Sequence, residues 1–311
     1  MCCVVLLYRK LQYTVQYGLY CSFIVAYNNN KKAHNFLFPS TLKAVSVSML
    51  LELPSLGNIA PPSGVVGYSL AALQTFVAVM SFSHESSDPT PYSKFAAVKD
   101  GELEDPISSK DGMLRIYAPS AIVACLFMLV SDMKPVTPLL LVHFVKRLFE
   151  VVAVHKYSGT MPSKQANAIG TYYALLTLMI VSFALPFDKV DSDLQNLGLC
   201  LFTVGSLGNL YHHWLLSGLR SESKKTDSST KRYIPPRGGL FSFVAAPHYL
   251  FEVIAWLGIG LVAQQTNAML VVASMASYLS GRARATNKFY LDTFTDQEWP
   301  RSRKAIFPGL L

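Results

Sequence analysis

Residues 166–187 run through the middle of this sequence without one charged side chain. The hydrocarbon core of a bilayer is crossed by about 20 helical residues, and inside it a helix can satisfy every backbone N–H and C=O within one segment. The stretch therefore reads as a membrane-spanning helix. Six further apolar segments accompany it, at 64–82, 116–130, 138–154, 194–219, 240–263 and 268–279. The expected fold is all-α: a polytopic membrane helix bundle of about seven transmembrane helices. Composition agrees, since only 15% of the 311 residues are charged and 51% are hydrophobic, against roughly 25% charged in soluble domains.

The formal net charge of +8 fits a polyanion or a membrane surface. The basic residues sit in short loops between apolar segments, which speaks against nucleic acid. The cysteines Cys2, Cys3, Cys21, Cys125 and Cys200 have no metal-ligand spacing. Cys125 and Cys200 lie in apolar segments and read as reduced packing residues; no metal is expected. The loop 220–237 carries Arg220, Lys224, Lys225, Lys231, Arg232 and Arg237, and the tail carries Arg282, Arg284, Lys288, Arg301, Arg303 and Lys304. Positive loops stay cytosolic, and two crossings separate these two. The acidic loop 188–193 then falls on the opposite face. The expectation is a multi-pass protein with a cytosolic C-terminus.

Ionisable groups inside apolar segments are costly, and they usually face a polar cavity. The third segment holds His143, Lys146, Arg147 and Glu150, with His143–Arg147 and Lys146–Glu150 spaced i,i+4 on a helix. The bland reading is a set of helix-end charges that snorkel to the interface; four such groups in so short a run favour a site. The sixth segment holds His248, Tyr249 and Glu252 just after Gly238 and Gly239. His248 and Glu252 share one helix face. They are either a buried pair tying helices together or part of a site. The fifth holds Asn209, His212 and His213, which are site residues or ordinary interfacial histidines. No strand-linked G-x-G-x-x-G supports a Rossmann site.

The wording G-G-L-F-x-x-V-x-x-P-H-Y-L-x-E at 238–252 resembles the C-terminal domain of the steroid 5-alpha-reductase family. Four further pieces match in order: H-F-V-K-R-L-F-E, G-N-L-Y-H-H-W-L-L-S-G-L-R, K-F-Y-L and R-K-A-I-F-P-G-L-L. The resemblance covers about 139–311, close to the trans-2-enoyl-CoA reductase and polyprenol reductase branches. It divides the chain into an atypical extension at 1–48, N-terminal membrane helices at 49–138 and a catalytic domain at 139–311. The extension reads as an additional helix or a gene-model artefact.

The resemblance implies an NADPH-dependent reductase of a carbonyl-conjugated C=C bond in a lipid. The substrate is a 3-oxo-4-ene steroid or a trans-2-enoyl-CoA; polyprenol is the next alternative. It implies residence in the endoplasmic reticulum membrane and association with other lipid-synthesis enzymes. Catalytic residues carried over are Tyr249 as proton donor and Lys146 and Arg147 at the carbonyl. Tyr117, in Tyr117-Ala118-Pro119-Ser120, takes the collinear place of the family's Glu-Leu-Pro-Ser carboxylate; the match at Glu52-Leu53-Pro54-Ser55 falls too early in the chain. Implied cofactor contacts are Asn209, His213, Arg220, Arg232, Tyr233, His248, Glu252, Arg282 and Tyr290. His213 stands where several members have an acid, Phe144 where steroid reductases have a tyrosine, and the tail lacks histidines that some relatives carry. Two other readings stay open, a membrane methyltransferase of the isoprenylcysteine type and an inactive lipid-binding scaffold.

Overall fold

The computed structural model describes residues 56–92, 95, 105–130, 132–157, 159–223 and 234–308. The extension at 1–48, the Glu52-Leu53-Pro54-Ser55 match, Arg232 and Tyr233 lie outside the described residues, as does the side chain of Arg220. Seven α-helices make up most of the described structure: α1 Gly64–Ser87, α2 Ser109–Met128, α3 Thr137–Phe149, α4 Ser163–Phe183, α5 Ser192–Ser223, α6 Pro247–Ala263 and α7 Thr266–Thr293. The protein is an all-α bundle of the membrane kind. Three helices, α1, α2 and α4, are long and apolar enough to cross a membrane by length and composition, and α6 is a shorter apolar helix.

An apolar core is threaded by polar seams, and apolar side chains also cover the outside of the bundle. On α1, Val65 is 83% and Val79 70% exposed, while Gln74 is 3% and Glu85 1% exposed. An apolar rim over a polar seam suits lipid as the outer solvent. The seam between α1 and α7 is stitched by hydrogen bonds. Ser274 Oγ donates to Gln74 Oε1 at 3.0 Å, Asn267 Nδ2 to the Gly67 carbonyl at 3.1 Å, and Phe82 N to Ser277 Oγ at 3.0 Å.

Elsewhere α5 packs on α6, α6 on α7, and α2 on both α3 and α4. The α5–α6 contact depends on glycine. A Cβ at Gly258 would come within 2.5 Å of the Gly198 carbonyl, and one at Gly198 within 2.8 Å of the Gly258 carbonyl, so the two backbones touch as small-residue helix pairs do in membranes.

Local chemistry sets the helix ends. Two short strands, β1 Pro106–Ser108 and β2 Thr160–Pro162, pair antiparallel and deliver the chain into α2 and α4 side by side. Ser108 caps α2 by accepting from Asp111 N at 3.1 Å, so this helix begins upstream of the apolar run at 116. At 240, where an apolar run suggests a helix, the chain instead forms a 3-10 turn, Gly239–Ser242, entered through Gly238 at φ 85° and Gly239 at φ 51°. The helix α6 starts at Pro247, whose missing N–H costs nothing in a first turn. The last helix runs on to Thr293, past the apolar limit at 279, because its first arginine, Arg282, finds a buried partner.

A buried corner closes the bundle at the acidic loop. Gln264, in the left-handed region at φ 49°, ends α6. Its side chain accepts from Asp191 N and donates to the Asp191 carbonyl, both at 2.7 Å. Asp191 in turn caps α5, accepting from Leu194 N at 2.9 Å and Asp193 N at 3.0 Å. At the other end, the C-terminal segment lies along the entry to α6: Ala245 N donates to the Lys304 carbonyl at 2.8 Å and Ala246 N to that of Ala305 at 3.0 Å.

Candidate active site

Glu150 is the hub of the polar interior. It has no exposed surface, and it begins a turn of π-helix, Glu150–Val154, that continues α3; the His155 N–H closes the wide turn on the Glu150 carbonyl at 2.7 Å. Such turns re-aim side chains and recur at functional sites. Lys146 Nζ donates to Glu150 Oε1 at 2.9 Å, and Arg147 Nη1 donates to Glu150 Oε2 at 2.6 Å. Burying a carboxylate is tolerable only with partners of this kind.

Each cation then reaches a second helix. Lys146 Nζ donates to Asn209 Oδ1 on α5 at 2.5 Å. Arg147 Nη2 donates to the Tyr117 hydroxyl on α2 at 2.6 Å, and its guanidinium lies 4.8 Å from the centre of that tyrosine ring. His213 Nδ1 lies 3.1 Å from Arg147 Nη1 and 3.2 Å from Glu150 Oε2. A neutral ring accepts from the arginine there, and a protonated ring donates to the carboxylate. The His213 ring also meets His155 at 4.7 Å, and His155 Nδ1 lies 2.9 Å from the Tyr157 hydroxyl. Glu150, His155 and His213 bring one potential metal-ligand atom each within 4.8 Å of one another. The carboxylate is already the counter-ion of Lys146 and Arg147, so it serves these cations before any metal.

On α6, Glu252 Oε1 lies 3.4 Å from His143 Nε2 of α3. Of the two i,i+4 pairs in the third segment, Lys146–Glu150 forms, while His143–Arg147 gives way to partners across helices: His143 turns to Glu252, and Arg147 to Tyr117 as well as to the nearby Glu150. The His248 carbonyl accepts from Asn209 Nδ2 at 2.9 Å, so Asn209 joins Lys146 to the first turn of α6. Phe144, buried to 1%, meets Tyr173 edge-on at 5.9 Å and Trp256 at 6.3 Å.

Tyr117, Lys146, Arg147, Asn209, His213, His248 and Glu252 therefore converge on one polar interior. Tyr249 borders it, with its ring 4.2 Å from the His248 ring, while Tyr290 and Arg282 are held by other partners. The half-buried Tyr249 packs with Ala246, Ala283 and Ile306. Tyr290 is buried against Trp299 at 4.7 Å. Arg282 is 1% exposed in the α1–α7 seam, where Nη1 donates to Glu85 Oε2 at 3.0 Å and to the Thr90 carbonyl at 3.1 Å, and Nη2 to the Tyr92 carbonyl at 3.0 Å. Glu85 has no warning in sequence, because it sits among serines in S-F-S-H-E-S-S at the end of an apolar run and reads as a helix-end group. Glu150 is visible only as the partner of Lys146.

Beside this interior lies a cavity of about 270 Å³, walled by Tyr117, Ile116, Met113, Tyr173 and Met275 and closed at another side by Tyr92 and Tyr278. Tyr117 belongs both to the cavity wall and to the Arg147 network.

Residues 148–311 match the profile of the 3-oxo-5-alpha-steroid 4-dehydrogenase family. Among curated proteins, the chain is 32% identical over 172 residues to the very-long-chain enoyl-CoA reductase of Dictyostelium discoideum, covering 54% of this chain and 55% of that one. It is 35% identical over 114 residues to a steroid 5-alpha-reductase of Solanum lycopersicum, covering 37% and 41%. With the human 3-oxo-5-alpha-steroid 4-dehydrogenase 1 it shares 34% identity over 123 residues, covering 40% and 44%. The chain spans about half the length of the curated relatives it matches. Lys146 and Arg147 fall just outside the family match, and the rest of α3 onward falls inside it. Because that match takes in more than half of the sequence, the chain belongs to the 3-oxo-5-alpha-steroid 4-dehydrogenase family.

Proposed function

We propose that this protein is an NADPH-dependent membrane reductase of a C=C bond conjugated to a carbonyl in a lipid, with a 3-oxo-4-ene steroid or a trans-2-enoyl thioester as substrate. The observation that carries the reading is the Tyr117–Arg147–Glu150–Lys146 network set against an apolar cavity. Donors and cations held rigid beside an apolar chamber stabilise negative charge that develops on a carbonyl oxygen. Both relatives' names, an enoyl-CoA reductase and a steroid 5-alpha-reductase, describe proteins acting on that unit.

The residues fit a nicotinamide cofactor. Among the described residues, Glu252 Oε2 and His143 Nδ1 are buried with no hydrogen-bond partner. A carboxamide, which offers both a donor and an acceptor, would satisfy such orphans. Arg237 is exposed near the α6 entry, and the Arg303 guanidinium is held below its ordinary value by burial and by the charge of Arg237. Two guanidinium groups under mutual repulsion favour a phosphate. When bound, the cofactor supplies hydride for the β carbon.

This chain's residues do the rest. Tyr117, with Arg147 behind its oxygen, donates a hydrogen bond to the substrate carbonyl. Lys146 adds positive charge, and Glu150 holds both cations in place. In this reading Tyr249 delivers the proton to the α carbon, Asn209 fixes the first turn of α6, and Arg220, Arg232, Tyr233, Arg282 and Tyr290 serve the cofactor side. The endoplasmic reticulum, a cytosolic C-terminus and association with other lipid-synthesis enzymes are part of the same proposal.

The test is a panel of enone steroids and enoyl thioesters given to the full chain in detergent with NADPH deuterated at the transferred position. Mass spectrometry should find one deuterium at the β carbon of the reduced product. A panel that returns no reduced lipid sinks the proposal.

A further inference from the structure

The cavity has a second polar wall that the reductase reading leaves unused. Tyr92 and Tyr278 line it, and their hydroxyls lie 2.9 Å apart. Two phenols bonded to each other spend one proton internally, which leaves the other O–H and the remaining lone pairs for a third group.

This wall is built, not incidental. Tyr92 sits just beyond α1, in a strap that folds back over the cavity. Thr90 donates to Glu85 Oε1 through its N–H at 3.0 Å and also through its hydroxyl. Arg282 seizes the carbonyls of Thr90 and Tyr92 and lies 3.6 Å from the centre of the Tyr92 ring. Its remaining partner, Glu85, is as deeply buried as it is. Three donated bonds and a stacked ring hold the arginine where it poses one tyrosine opposite another, while its buried Nε has no partner among the described residues and is the donor left for the cofactor side. A Lys at this position would offer one ammonium in place of a planar fork.

Between Tyr117 and this pair the lining is Met113, Ile116, Ile169 and Met275 with the Tyr172 and Tyr173 rings. The chamber thus holds hydrogen-bonding groups on two walls and, apart from Thr90 and Gln165, mainly apolar and aromatic side chains elsewhere.

We infer that the Tyr92–Tyr278 pair, posed by Arg282 and Glu85, is a specificity subsite that takes a hydroxyl or carbonyl at the end of the substrate remote from its reacting double bond. The substrate class is then a compact lipid with a polar group at each end; a plain acyl chain would leave the pair facing a methyl group. The inference rests on the proposed reaction for its view of the cavity as the substrate chamber.

The experiment measures binding without turnover, by calorimetry on the full chain in detergent with no cofactor added. The probes are a 3-oxo-4-ene steroid with a hydroxyl on the ring farthest from the enone and the same steroid lacking it. The unsubstituted protein should prefer the hydroxylated probe by roughly 3- to 10-fold, the scale of one neutral hydrogen bond. That ratio should fall towards one in Tyr278→Phe and in Tyr92→Phe, each of which keeps its ring. Equal affinity for the two probes, affinity for neither, or a ratio that survives both substitutions overturns the inference. A protein that reduces neither probe yet shows the ratio, and loses it in the variants, supports this subsite while sinking the reductase reading.

Discussion

In the proposed reaction, Tyr249 and Tyr117 divide between them the two things a reductase must do to a carbonyl-conjugated bond. Tyr249→Phe removes one hydroxyl and little volume. Turnover should drop by roughly 10²–10⁴, the scale of a general acid, while cofactor binding survives. Near-normal turnover in steady-state assays would move the donor role to Tyr117 or Lys146. Glu252→Gln keeps the shape but loses an acceptor-only carboxylate, so NADPH affinity measured by titration should fall before turnover does. Glu150→Ala should be the most damaging single change in the network. It leaves two buried cations without their counter-ion, at a cost of about 3–5 kcal/mol, read as loss of folded protein in a thermal assay. Legibility differed residue by residue. The Lys146–Glu150 pair follows from i,i+4 spacing and is present. The His143–Arg147 pair has the same spacing and is absent, because across-helix partners, Glu252 and Tyr117, outbid a neighbour on the same turn. No spacing rule reaches residues on different helices, so the Glu85–Arg282 pair, 197 residues apart, was beyond it.

At the scale of elements, charge-free length located the helices, and capping chemistry decided their ends. Ser108, Gly239 and Pro247 shift boundaries that hydropathy alone misplaces. Two predictions belong here. Gly258→Val drives a branched side chain into the Gly198 backbone. It should lower the melting temperature steeply, whereas Gly218→Ala, where a Cβ meets nothing within 4 Å, should not. Asp191 caps α5, and the N–H of Leu194, with smaller help from Asp193 and Asn58, holds its carboxyl below the usual carboxylate value. A folded-state pKa that is depressed adds stability above the unfolded value of about 3.9 and loses it as pH falls through the folded one. Asp191→Ala should therefore melt about a degree or two lower at neutral pH, and the gap to the parent should close in melts run below about pH 4.

For the molecule as a whole, the family match begins well after residue 48. A chain lacking residues 1–48 should still insert into membranes and reduce its substrate, as fractionation and the deuterium assay would show. The larger consequence comes from the apolar side chains on the outside of the bundle. Soluble domains owe a heat-capacity increase of about 12–15 cal/mol/K per residue to apolar surface that meets water on unfolding. Here Val65, Val79, Leu126 and Trp214 already face outward, and helices that part within a bilayer exchange one apolar neighbour for another. What they give up are contacts such as Gln74–Ser274 and Arg282–Glu85. Calorimetry in lipid should accordingly return a heat-capacity change per residue well under the soluble value. The stability curve should then be nearly straight, with no sharp optimum and no approach to cold denaturation, so that warming steadily weakens the protein from the lowest temperature at which its bilayer is fluid.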